Sequence, residues 1–217
     1  MDRQKRLFLE GEGDSWFNRN KEAIAKRVSY PELEILFPYF LGNNKNNLRE
    51  DFRFLEIGCG GGDRTNFLQR MIQRFGIGID PSSRAIQNAT LDYPNPALTF
   101  LVGTADDLPL PDESVDLIYF GFCLYLVDRS LLNKCIDESL RVLRVNGKVL
   151  LLDFDPFEPS VVPYRHDDRI STYKDNYEKY FIDRGFRIVA KLSQCESGEI
   201  GFEQESNKRV ATFLLSK

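Results

Sequence analysis

One stretch, Phe54-Leu55-Glu56-Ile57-Gly58-Cys59-Gly60-Gly61-Gly62-Asp63, constrains this chain more than any other. An apolar, strand-forming run leads straight into a glycine turn. Beyond the turn, Phe67, Leu68, Met71, Ile72 and Phe75 recur at i, i+1, i+4, i+5 and i+8, which predicts a helix with one buried stripe. Glycine at such a turn permits positive φ and removes the Cβ that would hold a ligand away from the backbone. A strand-turn-helix of this kind lets a nucleotide-like molecule lie against main-chain N–H groups at the mouth of a parallel sheet. Gly58 and Gly60 fit the first two glycines of a dinucleotide fingerprint, but Asp63 occupies the third position. A carboxylate there would point at a pyrophosphate, so the turn predicts a nucleoside ligand without phosphates.

From Phe52 onward, strand and helix patterns alternate, the signature of a doubly wound α/β sheet. Strands are expected at Phe54–Ile57, Gly76–Ile79, Leu98–Val102, Val115–Phe120 and Lys148–Phe154, with helices starting near Asp63, Ser82 and Ser130. The third of these helices places Leu131, Leu132, Cys135, Ile136, Leu140 and Leu143 on one face and is expected to stop at Asn146-Gly147. Tyr173, Tyr177, Tyr180 and Phe181 have helical spacing, predicting a helix from Ser171 to Arg184. The runs Arg187–Leu192 and Arg209–Leu215 then look like strands without a helix between them. Strands joined without a crossover helix pair antiparallel or lie in different sheets, and a closing antiparallel hairpin is the expectation. The first 50 or so residues are expected to be helical and to lie across the open edge of the sheet. Asp14 or Ser15 would cap a helix with Phe17, Ile24 and Val28 on one face, Pro31 would start another, and Gly42–Asn47 would form a polar loop.

At 217 residues the chain can bury one sizeable core, so a single domain is expected. Its 42% hydrophobic and 29% charged residues are ordinary for a globular protein. A formal net charge of −4 and the lack of a dense Lys/Arg run argue against nucleic acid or an anionic membrane as the main partner. No apolar run approaches the ~20 residues needed to span a bilayer, and the N-terminus has no apolar signal core, which predicts a cytoplasmic protein. Cys59, Cys123, Cys135 and Cys195 are scattered, and His166 is the one histidine, so no metal site is expected.

Further features fall where a nucleoside site needs them. The second strand ends in Gly78-Ile79-Asp80-Pro81, and a carboxylate at Asp80 can accept hydrogen bonds from both ribose hydroxyls or cap the helix that follows. The third strand ends in Gly103-Thr104-Ala105-Asp106-Asp107-Leu108-Pro109-Leu110-Pro111-Asp112, where short polar residues can reach an adenine edge or simply form a solvated turn. The strand Val115–Phe120 leaves through Gly121-Phe122-Cys123-Leu124-Tyr125 into the same crevice, at the topological switch point.

Taken in this order and spacing, L-E-I-G-C-G-G-G, G-I-D-P-S, A-D-D-L-P-L-P-D-E-S-V-D and R-V-L-R-V-N-G-K-V resemble the class I S-adenosylmethionine-dependent methyltransferases of the small-molecule type. The resemblance covers about Phe52 to Asp155. It implies a Rossmann-like seven-stranded sheet, mostly parallel with an antiparallel C-terminal hairpin strand, and S-adenosylmethionine as cofactor. It divides the chain into an N-terminal helical lid (1–50), a cofactor-binding core (51–155), and an acceptor-side segment with the hairpin (156–217). It also implies that Gly58 and Gly60 underlie the methionyl part, Asp80 meets the ribose, and Ala105 with Asp106 meets the adenine, with Glu56, Cys59, Pro81 and Thr104 as further cofactor-binding residues. The main chain at Phe120 would meet the amino group. Many members have Asp where this chain has Thr104, so the adenine amine contact falls to Asp106 or to a backbone group. The stretch from Glu12 to Asn20 looks like a lid segment found in a bacterial subset of the family, which would place Trp16 and Arg19 on the cofactor. Ordinary core packing for Trp16 and a surface charge for Arg19 are the alternatives.

The expected reaction is methyl transfer to a small polar acceptor, on oxygen, by a monomer or homodimer. A hydroxyl acceptor needs a base, and histidine is the side chain whose ordinary charge change falls near neutrality. His166, in the segment leaving the fifth strand, is the candidate, with Tyr125, Tyr164, Arg165, Tyr173 and Lys174 as candidate acceptor-binding residues. A non-catalytic cofactor-binding protein on the same fold and an NAD-dependent dehydrogenase are the competing readings, Asp63 speaking against the second.

Overall fold

The computed structural model describes residues 3–27, 30, 32–33, 48–195, 200–201 and 203–217. The alternating pattern builds one sheet: β1 (Arg53–Ile57), β2 (Phe75–Asp80), β3 (Leu98–Val102), β4 (Val115–Gly121), β5 (Leu143–Phe154), β8 (Arg187–Cys195) and β9 (Arg209–Ser216). The seven strands lie in the order β3-β2-β1-β4-β5-β9-β8. Pairings from β3 to β5 are parallel, and β9 inserts antiparallel between β5 and β8. The hairpin therefore closes the sheet as expected. The strand order reverses between β1 and β4, and a crevice lies at the C-terminal ends of the strands there.

Period-2 alternation sends neighbouring side chains to opposite faces. Leu55, Ile57, Ile118, Phe120, Val149 and Leu151 point to one face, where Leu132 and Ile136 of α5 (Leu132–Val142) and Phe181 of α6 (Glu178–Ile182) cover them. Phe54, Leu117, Tyr119, Leu150 and Leu152 point to the other, against Leu68 and Ile72 of α3 (Asp63–Ile72). Ser82 caps α4 (Ser83–Asp92), its hydroxyl accepting the Ala85 N–H at 3.0 Å.

Three element boundaries differ from the sequence expectation. α3 stops at Ile72 because Gln73 turns left-handed (φ 54°), and Phe75 opens β2 instead of extending the helical stripe. α5 stops at Val142 and Leu143 already belongs to β5. Asn146 does adopt the left-handed conformation (φ 65°), but inside a bulge in β5 where the register to β4 shifts. The helix expected over Ser171–Arg184 is a short strand followed by a short helix. β6 (Ser160–Pro163) pairs antiparallel with β7 (Ser171–Lys174), and α6 covers only Glu178–Ile182. Tyr173 and Tyr177 converge because the Arg129 guanidinium lies over both rings, at 4.3 and 5.2 Å from their centroids.

The N-terminal residues form α1 (Arg3–Leu7), a π-helical turn (Phe8–Glu12) and α2 (Gly13–Ala25). They lie over the C-terminal ends of the strands rather than along an edge. Asp14 does not cap its own helix: its carboxylate accepts the Ser82 hydroxyl at 2.6 Å and the Arg84 N–H at 3.1 Å, fixing α2 to the start of α4. Val28, Pro31 and Gly42–Asn47 lie outside the described residues. Among the described residues, no helix is long and apolar enough to cross a membrane, and no cluster of three metal-ligating side chains occurs.

Candidate functional site

The crevice at the strand ends, about 880 Å³ with the open solvent at its mouth included, is lined by the turn after β1, the ends of β2 and β3, the exit of β4 and the N-terminal helices. The β1 turn is fixed to β2 by backbone: Gly58 N–H and Cys59 N–H both donate to Ile79 C=O, at 2.8 and 3.1 Å. Gly58 (φ 77°) and Gly60 (φ 52°) take conformations that favour glycine, and a Cβ on Gly58 would stand 2.7 Å from Cys123 Cβ.

Asp80 ends β2 at the crevice. One carboxylate oxygen accepts the Gly60 N–H at 2.9 Å and the other accepts the Ser82 N–H at 2.8 Å. Burial pushes its pKa up to about 6 against these two donors, and Asp14 adds to the rise. Each oxygen retains a lone pair toward the crevice, so bracing the turn and accepting ribose hydroxyls are compatible roles. Ser82 itself provides the helix cap.

At the opposite end, Thr104, Ala105 and Asp106 line the crevice with Leu126, Val127, Leu131 and Cys135. Burial alone would raise the Asp106 pKa, but it is lowered by Lys5, whose ammonium meets the carboxylate at 2.7 Å, by Thr104 and by Lys134. Lys5 belongs to α1, so the N-terminal segment reaches the expected adenine end directly. Gln4 pins the same helix, donating to Leu126 C=O at 2.6 Å and Ser171 C=O at 2.9 Å and accepting Ser171 N–H at 3.1 Å.

Trp16 also lines the crevice, while Arg19, one turn on, does not. The Arg19 guanidinium donates to Glu12 and, at 2.9 Å, to the Tyr164 hydroxyl, which donates to Glu12 at 2.9 Å. Arg19 therefore ties α2 to the acceptor-side segment. Glu56 turns to the other face of the sheet, where its buried carboxyl accepts the Thr65 hydroxyl. Phe120 is fully buried, its ring packed on Phe181, and Phe122 is the aromatic residue that β4 delivers to the crevice. Phe122 does so with φ 58°, a conformation that is uncommon outside glycine.

Asp63 has a different role from the one its position suggested. It faces away from the crevice and accepts the Tyr93 hydroxyl at 2.9 Å. What closes the start of α3 is Phe17 of α2, whose ring would lie 3.0 Å from a Cβ on Gly61. A pyrophosphate could not settle on those N–H groups without displacing Phe17.

On the acceptor side, His166 and Arg165 are exposed and do not line the crevice; the imidazole packs edge-on against Tyr164, centroids 5.4 Å apart. Tyr125 lies beside Trp16 and packs with Phe122 and Phe154. Lys174 lies over the Phe154 ring at 4.2 Å and donates to Asn207 C=O, and Tyr173 is engaged by Arg129. None of the three lines the crevice directly.

Sequence reasoning missed the pair that holds the crevice wall. Buried Asp153, at the end of β5, accepts the N–H groups of Leu124 and Tyr125 at 3.0 and 3.3 Å, at the start of a 3₁₀ turn (Leu124–Leu126). Arg129 grips the same turn from the other end, donating to Leu124 C=O at 2.7 Å and Val127 C=O at 3.0 Å. A carboxylate closing an apolar strand (Leu-Leu-Leu-Asp153) was the available signal, since an ionisable group there must find donors.

Residues 55–151 match a family model described as a methyltransferase domain. The chain is 30% identical over 114 residues to the ubiquinone/menaquinone biosynthesis C-methyltransferase of Campylobacter jejuni, covering 49% of this chain and 46% of that protein. It is 31% identical over 106 residues to the 2-phytyl-1,4-naphtoquinone methyltransferase of Trichormus variabilis, covering 46% and 45%. The chain thus spans about half the length of the curated relatives it matches. Among solved structures, the Burkholderia thailandensis 1,6-didemethyltoxoflavin-N1-methyltransferase, with bound 1,6-didemethyltoxoflavin and S-adenosylhomocysteine, superposes with a TM-score of 0.73. That match has 13% identity and covers 98% of this chain and 88% of that one. An S-adenosylmethionine-dependent methyltransferase from Mesorhizobium loti superposes with a TM-score of 0.62 at 15% identity, covering 89% and 100%. These likenesses place the sheet and its flanking helices in the methyltransferase fold.

Proposed function

We propose that this chain, whose residues 55–151 are a methyltransferase domain, transfers a methyl group from S-adenosylmethionine to a small molecule. The observation that carries this reading is the half-buried Asp80 carboxylate, bonded to Gly60 N–H and lining the crevice beside a glycine turn on which the Phe17 ring packs. When bound, S-adenosylmethionine supplies a methyl group already activated on a sulfonium. The protein's part is to hold, orient and exclude water, and orientation alone can contribute about 7–11 kcal/mol. Asp80 and Pro81 would hold the ribose, and Thr104, Ala105 and Asp106 the adenine, with Leu126, Val127 and Leu131 as its apolar walls. Gly58, Cys59 and Gly60 would support the methionyl part through backbone. Calorimetric titration with S-adenosylmethionine, S-adenosylhomocysteine and NAD tests the reading: binding of the two sulfur nucleosides supports it, and tighter binding of NAD overturns it.

The N-terminal segment would act as a lid, because its contacts span both ends of the crevice: Lys5 on Asp106, Gln4 on Leu126 and Ser171, and Arg19 with Glu12 on Tyr164. Gly11, at φ 154° between α1 and α2, is the point where the helical path breaks. Bound S-adenosylhomocysteine is therefore expected to slow proteolysis at Gly11–Gly13 and to change Trp16 fluorescence. Unchanged cleavage and emission would make these helices fixed scaffold.

The acceptor class follows less directly. One relative is named as a C-methyltransferase of quinone biosynthesis and one structural neighbour as an N1-methyltransferase of 1,6-didemethyltoxoflavin. Methylation of a hydroxyl on a polar acceptor is the second reading, and it would use His166. Because His166 is exposed and outside the crevice lining, His166→Ala is expected to keep kcat within about threefold once an acceptor is in hand. A loss of about 10²–10⁴, the range for removing a general base, would restore the hydroxyl reading.

A further inference from the structure

We propose that Trp16 and Phe122 form an aromatic half-cage that recognises the positive charge of the sulfonium and so makes the crevice prefer the methyl donor over its neutral, demethylated product. This rests on the cofactor reading given above and goes beyond it, since shape and the Asp80 contact treat donor and product alike.

Two rings reach this end of the crevice from opposite directions. Trp16 comes from α2: its Cζ3 lies 3.9 Å from where a Gly60 Cβ would stand, and its indole lies beside the Tyr125 hydroxyl. The ring therefore lies between Tyr125 and the glycine turn that would support the methionyl part. Phe122 comes up from β4, held by its N–H on Leu152 C=O at 2.8 Å and by edge-on packing against Tyr125 and Phe154, at 6.3 and 5.8 Å. Its positive φ places a large side chain where glycine would be easier, and strain of this kind persists where a ligand contact requires it.

Among the described residues, three carboxylates line the crevice. The carboxylates lining the crevice already have partners: Asp80 accepts the Gly60 and Ser82 N–H groups, Asp106 meets Lys5, and Asp128 accepts from Ser130. Glu12, the nearest acid on the lid, is occupied by Arg19 and the Tyr164 hydroxyl. A cation in a crevice roofed by Trp16 would meet the negative faces of aromatic rings. The thioether sulfur of the product carries no charge and gains no such attraction.

The test is the ratio of two dissociation constants, measured by calorimetry for S-adenosylmethionine and for S-adenosylhomocysteine on the intact protein. Trp16→Leu is expected to weaken S-adenosylmethionine by about 5- to 30-fold, the range of a desolvated cation–π contact. It should weaken S-adenosylhomocysteine by less than about threefold, and Trp16→Phe should restore most of the preference. Phe122→Leu should shift the ratio in the same direction, with melting curves confirming that each variant is folded. Equal losses for both ligands, or no loss for either, would overturn the half-cage and leave Trp16 a roof. Failure of the unmodified protein to bind either ligand would instead overturn the cofactor reading.

Discussion

Asp80→Ala is expected to weaken S-adenosylhomocysteine binding by about 10- to 100-fold while the protein remains folded. Charge-assisted hydrogen bonds to ribose hydroxyls contribute about 1.5–3 kcal/mol, and every 1.4 kcal/mol is tenfold in affinity. Alanine also strips the acceptor from Gly60 N–H and Ser82 N–H, so the glycine turn relaxes and part of the loss comes through the turn. Asp80→Asn separates the two contributions: its amide oxygen retains one backbone acceptor, while the negative charge on the ribose is gone. An intermediate loss is expected for Asn. Burial raises the Asp80 pKa to about 6, so affinity of the unmodified protein should also fall as pH drops through 6, where the carboxylate takes up a proton. An alanine variant that binds as tightly as its parent would confine Asp80 to bracing the turn.

The glycine turn and the strand ends were legible because each is dictated locally. Leu98–Val102 forms β3 with the expected ends, whereas the cap of α4, expected from Asp80, comes from Ser82. What sequence could not supply was which face a side chain takes when two are chemically open to it. Asp63 sits at a fingerprint position, but the first turn of α3 carries its carboxylate toward Tyr93, and an apolar ring from a distant helix does the work of excluding phosphate. Tyr173 and Tyr177 mimic a helical stripe because a cation, Arg129, gathers them from a strand and from the residue before a helix. The lid contacts were hidden for a similar reason: Gln4, Lys5 and Asp14 look like ordinary surface residues until the fold brings Ser171, Asp106 and Ser82 to them. Long-range pairing of polar side chains leaves no periodic trace, whereas burial of apolar ones does.

Glu56 carries the largest expected effect on stability. It is the one charged residue of an otherwise apolar β1 core (Phe54-Leu55-Glu56-Ile57), fully buried on the face covered by α3, where Thr65 donates its hydroxyl. Arg64 is close but is bonded to Glu32 at 3.3 Å, so burial prevails and pushes the Glu56 pKa from 4.5 up to about 8. The folded protein therefore keeps a proton that the unfolded chain releases above its ordinary value. Stability should fall as pH rises from about 4.5 to 8 and level off above it, by at most about 5 kcal/mol at 1.36 kcal/mol per unit. Asp153, raised to about 7, and Asp80 act with the same sign, so the contribution of Glu56 is isolated by comparison with Glu56→Gln. Glutamine has the same shape, stays neutral and can still accept the Thr65 hydroxyl. Urea unfolding at pH 5, 7 and 9 should show the two proteins nearly equal at pH 5 and the glutamine variant more stable by several kcal/mol at pH 9. Its affinity for S-adenosylhomocysteine should stay within about threefold, since the carboxyl faces α3 and not the crevice. Parallel pH profiles for the two proteins would mean that Glu56 is ionised in the fold and paired with Arg64 after all. A large loss of affinity in the glutamine variant would return Glu56 to the cofactor site, where its place beside the glycine turn first suggested it belonged.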